Sequence, residues 1–126
     1  MADEALYVYF RGPGATLPEQ QQQRNNYIFY SPVPFTLYPR GVALLYLRLS
    51  IIIPRGYVGC FFSLTDANMS GLYASSRIIH AGHREELSVL LFNHDDRFYE
   101  GRAGDPVACL VMERLIYPPV RQATMI

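Results

Sequence analysis

The sequence predicts an all-β single domain, a jelly-roll or β-barrel with Greek-key links. Three observations carry that expectation. Short runs rich in β-branched and aromatic residues recur about every ten residues, separated by clusters of Gly, Pro, Asn and Asp. No segment sustains the apolar period of about 3.6 residues that an amphipathic helix needs. The chain has 126 residues, 50% hydrophobic and 17% charged, enough to bury the core of one domain but hardly of two. No internal repeat is visible.

Taken in order, Ala5 to Phe10 is a first strand closed by the turn Gly12-Pro13-Gly14. Glu19 through Asn26, with four consecutive glutamines, reads as a solvated surface loop. Tyr27 to Ser31 resumes the strand pattern, and Pro32 and Pro34, which lack amide donors, confine the next stretch to an edge or a crossover. Leu45 to Ile53 alternates with period two, placing Leu45, Leu47, Leu49, Ile51 and Ile53 on one face of a half-buried strand, with Tyr46, Arg48, Ser50 and Ile52 opposite. Pro54-Arg55-Gly56 turns the chain into a strand over Val58 to Leu64, and Thr65-Asp66-Ala67-Asn68 is a turn-forming cluster. Short strands are expected at Arg77–Ile79, at Leu87–Asn93, at Arg97–Tyr99 after the His94-Asp95-Asp96 loop, and at Val107–Tyr117.

Charge and cysteine usage narrow the function classes. Formal net charge is zero and all 11 basic residues are Arg, scattered singly, so no basic stripe can track a phosphate backbone and nucleic acid is not an expected partner. Cys60 and Cys109 sit in apolar segments, which points to core packing or a reducing compartment rather than a disulfide framework. No apolar run approaches the roughly 20 residues that span a bilayer, and the acidic start Met-Ala-Asp-Glu argues against a signal peptide. The expectation is a soluble, intracellular protein. His80, His83 and His94 have only Asp95 and Asp96 as carboxylate company at ligand spacing, so they read as surface histidines, with no metal and no cofactor expected. Asn93 reads as a strand-end residue kept for the fold, and the ten tyrosines as half-buried strand residues with a polar tip.

Three blocks, Pro54-Arg55-Gly56-Tyr57-Val58-Gly59, Leu87 to Asn93, and Gly104-Asp105-Pro106-Val107-Ala108-Cys109-Leu110 continuing to Glu113-Arg114-Leu115-Ile116-Tyr117-Pro118, resemble in order and spacing the core of the trimeric dUTPases. The resemblance runs from about Tyr27 to Tyr117. It implies a dUTPase-like jelly-roll over 1–118, with 119–126 as an exposed tail, and a homotrimer, a monomer being the alternative. The positions that carry the family's chemistry depart from it. Where the first motif has an aspartate, this chain has Ile28; where the second has Pro-Arg-Ser-Gly to cradle phosphates, it has Ser63-Leu64-Thr65-Asp66. An arginine is lost and a negative charge gained, which repels phosphate. In the third motif, the water-activating aspartate falls on His80 and the pyrimidine-reading tyrosine on His83, followed by Arg84 and Glu85. Only the arginine survives. The Gly-rich arm that closes over the phosphates has no counterpart in the nine residues after Tyr117. These departures predict a catalytically dead scaffold with Asp66 on a possible partner surface. The competing reading is a residual nucleotide-binding or hydrolysing enzyme using His80 and Arg84, since a histidine can act as a base at neutral pH.

The last residues, Ala123-Thr124-Met125-Ile126, form the hydroxyl-x-apolar pattern that PDZ domains capture by strand addition, holding the terminal carboxylate with backbone amides. Together with Glu4-Ala5-Leu6-Tyr7-Val8, Leu64-Thr65-Asp66, Glu86 to His94 and Val120-Arg121-Gln122-Ala123, this ending is similar to the adenoviral proteins encoded by the first reading frame of early region four. That resemblance implies a non-enzymatic viral oncoprotein, an adaptor in the host-cell cytoplasm that binds host PDZ scaffold and polarity proteins. It further implies recruitment to the plasma membrane by those partners, and promotion of phosphoinositide 3-kinase and growth signalling by a direct or indirect route.

Overall fold

A computed structural model describes residues 4–64 and 71–124. Among them every regular element is a strand: β1 Tyr7–Phe10, β2 Glu19–Gln20, β3 Asn26–Tyr30, β4 Phe35–Leu37, β5 Val42–Tyr46, β6 Leu49–Ile52, β7 Tyr57–Phe62, β8 Leu72–Ala74, β9 Arg77–His80, β10 Ser88–Asn93, β11 Tyr99–Gly101 and β12 Pro106–Arg114. The all-β expectation is met. The strands pair antiparallel in four groups: β1-β6, β5-β10-β8, β11-β4 and the five-stranded β2-β3-β12-β7-β9. Their inward faces share one core, in which Phe29 of β3 and Phe61 of β7 meet edge to face at 5.3 Å beside Ala108 and Leu110 of β12.

The alternation from Leu45 to Ile53 does its expected work, since Leu45, Leu47, Leu49, Ile51 and Ile53 are all buried. It does not form one strand. Arg48 adopts a left-handed φ of 58°, Leu47 donates its amide to the Leu87 carbonyl, and Leu87 donates to Leu49. That kink hands β5 to the three-stranded sheet and β6 to the pair with β1. Ser50, expected on the outward face, is buried, and the Arg11 guanidinium donates to its hydroxyl.

Other differences have local causes. Glu19 and Gln20 lie in the segment expected to be a loop, yet they pair with Ile28 and Tyr27 as a short edge. β8 is absent from the expected strands; three residues are too few to show a period, and only pairing with Leu91, Phe92 and Asn93 makes them a strand. β11 begins two residues later than expected because the Asn93 side chain holds the Arg97 carbonyl in the preceding turn. β12 stops at Arg114 instead of Tyr117 because its partner runs out: Arg114 faces Tyr57, the first residue of β7, and the last tie is Leu115 N–H to the Gly56 carbonyl. Gly101 faces Phe35, where a Cβ would run into the aromatic ring. No described helix is long and apolar enough to cross a membrane.

Candidate functional site

Antiparallel pairing sets Ile28 of β3 opposite Cys109 of β12, and Cys109 opposite Phe62 of β7. These three side chains form a row across the outward face of the five-stranded sheet. Val111, two residues on, lies on the same face, and Ser63 and Leu64 follow Phe62 at the end of β7. Together with Gln21 and Asn26 they line a cavity of about 340 Å³ that holds no charged side chain among its described lining residues. The carboxylate nearest in the row is Glu19, paired with Ile28, and it accepts a hydrogen bond from the Tyr30 hydroxyl at 3.0 Å. Burial holds the Tyr30 phenol above its ordinary range, and the Glu19 carboxylate adds to the shift.

Ser63 is fully engaged. Its hydroxyl donates to the Ala74 carbonyl at 2.9 Å and accepts from the Ala74 amide at 2.6 Å, which ties the end of β7 to the end of β8; it stands at the proline position of the second motif, whose serine position falls on Thr65. Cys60 and Cys109, both free, are half-buried on this outward face instead of packed in the core as expected. Burial pushes the Cys109 thiol up, with a hydrogen bond from the Tyr27 backbone opposing it, which leaves little nucleophilic thiolate near neutral pH.

The histidines and Arg84 stand elsewhere. His80 ends β9 opposite Val58, five residues back along β7 from Ser63. At the usual strand rise that is about 17 Å from Ser63 along the sheet. His83 Nε2 lies 3.4 Å from an Arg77 guanidinium nitrogen, while its Nδ1 is buried without a partner. Arg84 folds back over its own turn, donating from Nη1 to the carbonyls of Ala81 at 2.7 Å and His83 at 3.0 Å, and its carbonyl accepts from Arg11. It borders a separate groove of about 690 Å³ shared with Glu4, Ile52 and Arg55. His94 packs edge to face on Tyr73 at 4.7 Å. No group of three His, Cys, Asp or Glu is gathered to hold a metal among the described residues.

Residues 14–126 match the sequence family described as dUTPase. E4-ORF1 of human adenovirus D serotype 9 is 44% identical over 98% of this chain and 98% of its own length; the Early 4 ORF1 protein of human adenovirus C serotype 2 is 46% identical over 98% and 96%. The chain belongs to the dUTPase family, among its adenoviral E4-ORF1 members. The fold agrees: the dUTPase of Staphylococcus bacteriophage 80alpha superposes with a TM-score of 0.82 at 20% identity, over 98% of this chain and 99% of that one.

For a dUTPase-family chain the arrangement is informative. One copy brings together Ile28, Ser63 and Leu64, the first-motif and second-motif positions, and holds His80, His83 and Arg84 of the third motif apart from them. Thr65 and Asp66 lie outside the described residues, as do Met125 and Ile126. Sequence reading missed Phe62, Cys109 and Val111 as neighbours of Ile28. Alternation could have put them on one outward face, but no local signal says that β3 and β7 both pair with β12. Asn93 is placed as expected: buried, it donates to the carbonyls of Tyr38 at 3.0 Å and Arg97 at 2.7 Å and accepts from the Asp95 amide at 3.0 Å.

Proposed function

We propose that this dUTPase-derived chain is a non-enzymatic viral adaptor that presents Ala123-Thr124-Met125-Ile126 to host PDZ-domain proteins. The observation that carries the loss of chemistry is the Ile28–Cys109–Phe62 row, with Ile28 at the first-motif aspartate position and Leu64, at the second-motif arginine position, lining the same cavity. A phosphate cradle needs positive charge as well as donors, and this cavity sets the side chains of Gln21 and Asn26 around the apolar row with no cation among its described lining residues. Support for the tail comes from its exposure: residues 115–124 carry no regular structure, and Tyr117 and Val120 are 86% and 97% exposed. Beyond Arg114 the chain has left the sheet, so an extended segment is free to add to another protein's sheet edge.

In this reading Thr124 and Ile126 carry selectivity, because strand addition itself is blind to sequence. Thr124 donates to a polar group and Ile126 fills an apolar pocket, a burial worth roughly 1.5–3 kcal/mol; Arg121, Gln122, Ala123 and Met125 make secondary contacts. Action in the host-cell cytoplasm, recruitment to the plasma membrane and promotion of phosphoinositide 3-kinase signalling belong to the same proposal, on the strength of the resemblance to the adenoviral proteins. The test is titration of an isolated PDZ domain with the intact chain, an Ile126-amidated chain and Ile126→Ala. Clear weakening for both altered chains is expected; equal affinity for all three would remove the tail as the binding site.

A further inference from the structure

We propose that Thr124 is a phosphorylation site for an arginine-directed serine/threonine kinase, and that the phosphate switches off PDZ capture. The inference rests on the PDZ reading above and adds its regulation. Among all Ser and Thr residues of the chain, Thr124 alone has an arginine three residues before it, Arg121, and an apolar residue, Met125, directly after. Ser31 and Ser50 are buried, and the Ser63 hydroxyl is bonded to Ala74. A kinase cleft takes its substrate as an extended strand stripped of its own structure. The tail is already in that state, with Arg121 and Thr124 both exposed and making no hydrogen bond or ion pair within the described residues. Pro118 and Pro119 have no amide to donate, so they cannot extend the β12 ladder into the tail.

The chemistry is self-contained. The Thr124 hydroxyl oxygen attacks the γ-phosphorus of ATP, the O–P bond forms as the β–γ anhydride bond breaks, the hydroxyl proton passes to the kinase's carboxylate base, and ADP leaves. Arg121 is the recognition element because a guanidinium pairs with two carboxylate oxygens at once in a kinase's acidic subsite. The same hydroxyl cannot serve both partners. Phosphorylation removes the donor that the PDZ groove reads and places about −1.5 to −2 charges where that groove is closed to water.

The experiment incubates the full chain with ATP and the catalytic subunit of cyclic-AMP-dependent kinase as the arginine-directed probe, maps the phosphate by tandem mass spectrometry, and titrates a PDZ domain with unmodified and phosphorylated chain. One phosphate on Thr124, a specificity constant at least about tenfold lower for Arg121→Ala, an unchanged one for Arg114→Ala, and loss of PDZ binding on phosphorylation are expected. Phosphate elsewhere only, or indifference to Arg121→Ala, overturns the site. Phosphate on Thr124 with PDZ affinity unchanged overturns the switch. Failure of the unmodified chain to bind is a separate result: it removes the PDZ reading itself, and the switch with it.

Discussion

Asn93 joins the end of β10 to the turn that launches β11. Its amide nitrogen donates to the Tyr38 and Arg97 carbonyls and its oxygen accepts from the Asp95 amide, all at a position 2% exposed. Truncation to alanine leaves buried backbone groups without partners, at roughly 1–3 kcal/mol for each unsatisfied group. Asn93→Ala is therefore expected to lower stability by about 3 kcal/mol in urea denaturation, whereas Asp96→Ala, at the exposed ion pair with Arg40, should change it by less than about 1 kcal/mol. A second residue-scale expectation concerns alkaline pH. Tyr30 and Tyr99 have folded pKa values raised above the ordinary 10.0, burial being the larger cause in both, with Glu19 adding for Tyr30 and Asp105 for Tyr99. Their contribution is fully present below pH 10; above it the unfolded chain loses protons that the folded chain keeps, so stability falls as pH rises through the folded values. Tyr30→Phe should flatten that fall in denaturation midpoints taken from pH 9 to 11; an unchanged slope would show that Tyr30 does not contribute.

At the scale of elements, the kink at Arg48 decides which sheet each half of the Leu45–Ile53 run joins. A non-glycine residue in the left-handed region costs about 1–3 kcal/mol, and a β-branched one fits it worst. Arg48→Val and Arg48→Gly both lose the hydrogen bond to the Pro13 carbonyl, so their difference isolates the backbone. Thermal unfolding should place the glycine variant above the valine variant; the reverse order would mean that the kink is not backbone-limited. This run also marks what the sequence could reveal. Alternation declared the buried face, because burial of every second residue is a local pattern. It could not declare the break, because Arg48 is held by Leu87 and by a Glu86 carboxylate that accepts from its amide, residues 38 or more away in the chain. β8 and the Ile28–Cys109–Phe62 row were hidden for the same reason. Motif spacing, by contrast, brought Ile28, Ser63 and Leu64 into one candidate site, since loop lengths between matched blocks are themselves written in the sequence.

Across the whole molecule, apolar surface remains uncovered. Val42, Leu44 and Tyr46 of β5, with Tyr73 of β8, are each at least half exposed on the outward face of the three-stranded sheet, beside Leu90 and Phe92 of β10. A contiguous apolar face of this kind marks an interaction surface. The distance of His80 and Arg84 from the Ile28 cavity adds to this: a site assembled from both sets needs more than one copy. A homotrimer, which the family resemblance implies, would answer both observations, and three tails on one body would let modest PDZ affinities combine, with avidity gains of roughly 10²–10⁴ where linkers and geometry allow. Light scattering at micromolar concentration should give three times the chain's own mass, and Leu44→Asp with Tyr46→Asp should reduce it to one; a wild-type chain that scatters as a single copy contradicts the assembly.

The central claim is that a dUTPase-family fold has been kept while its chemistry has been replaced by an uncharged cavity and an exposed tail. Pyrophosphate release from dUTP with magnesium, measured for the full chain and for His80→Ala, tests it most directly. The account predicts no release above the uncatalysed background for either chain. Magnesium-dependent release by the native chain that His80→Ala abolishes would contradict it, because His80 would then be working as a base in a chain proposed to have lost that chemistry.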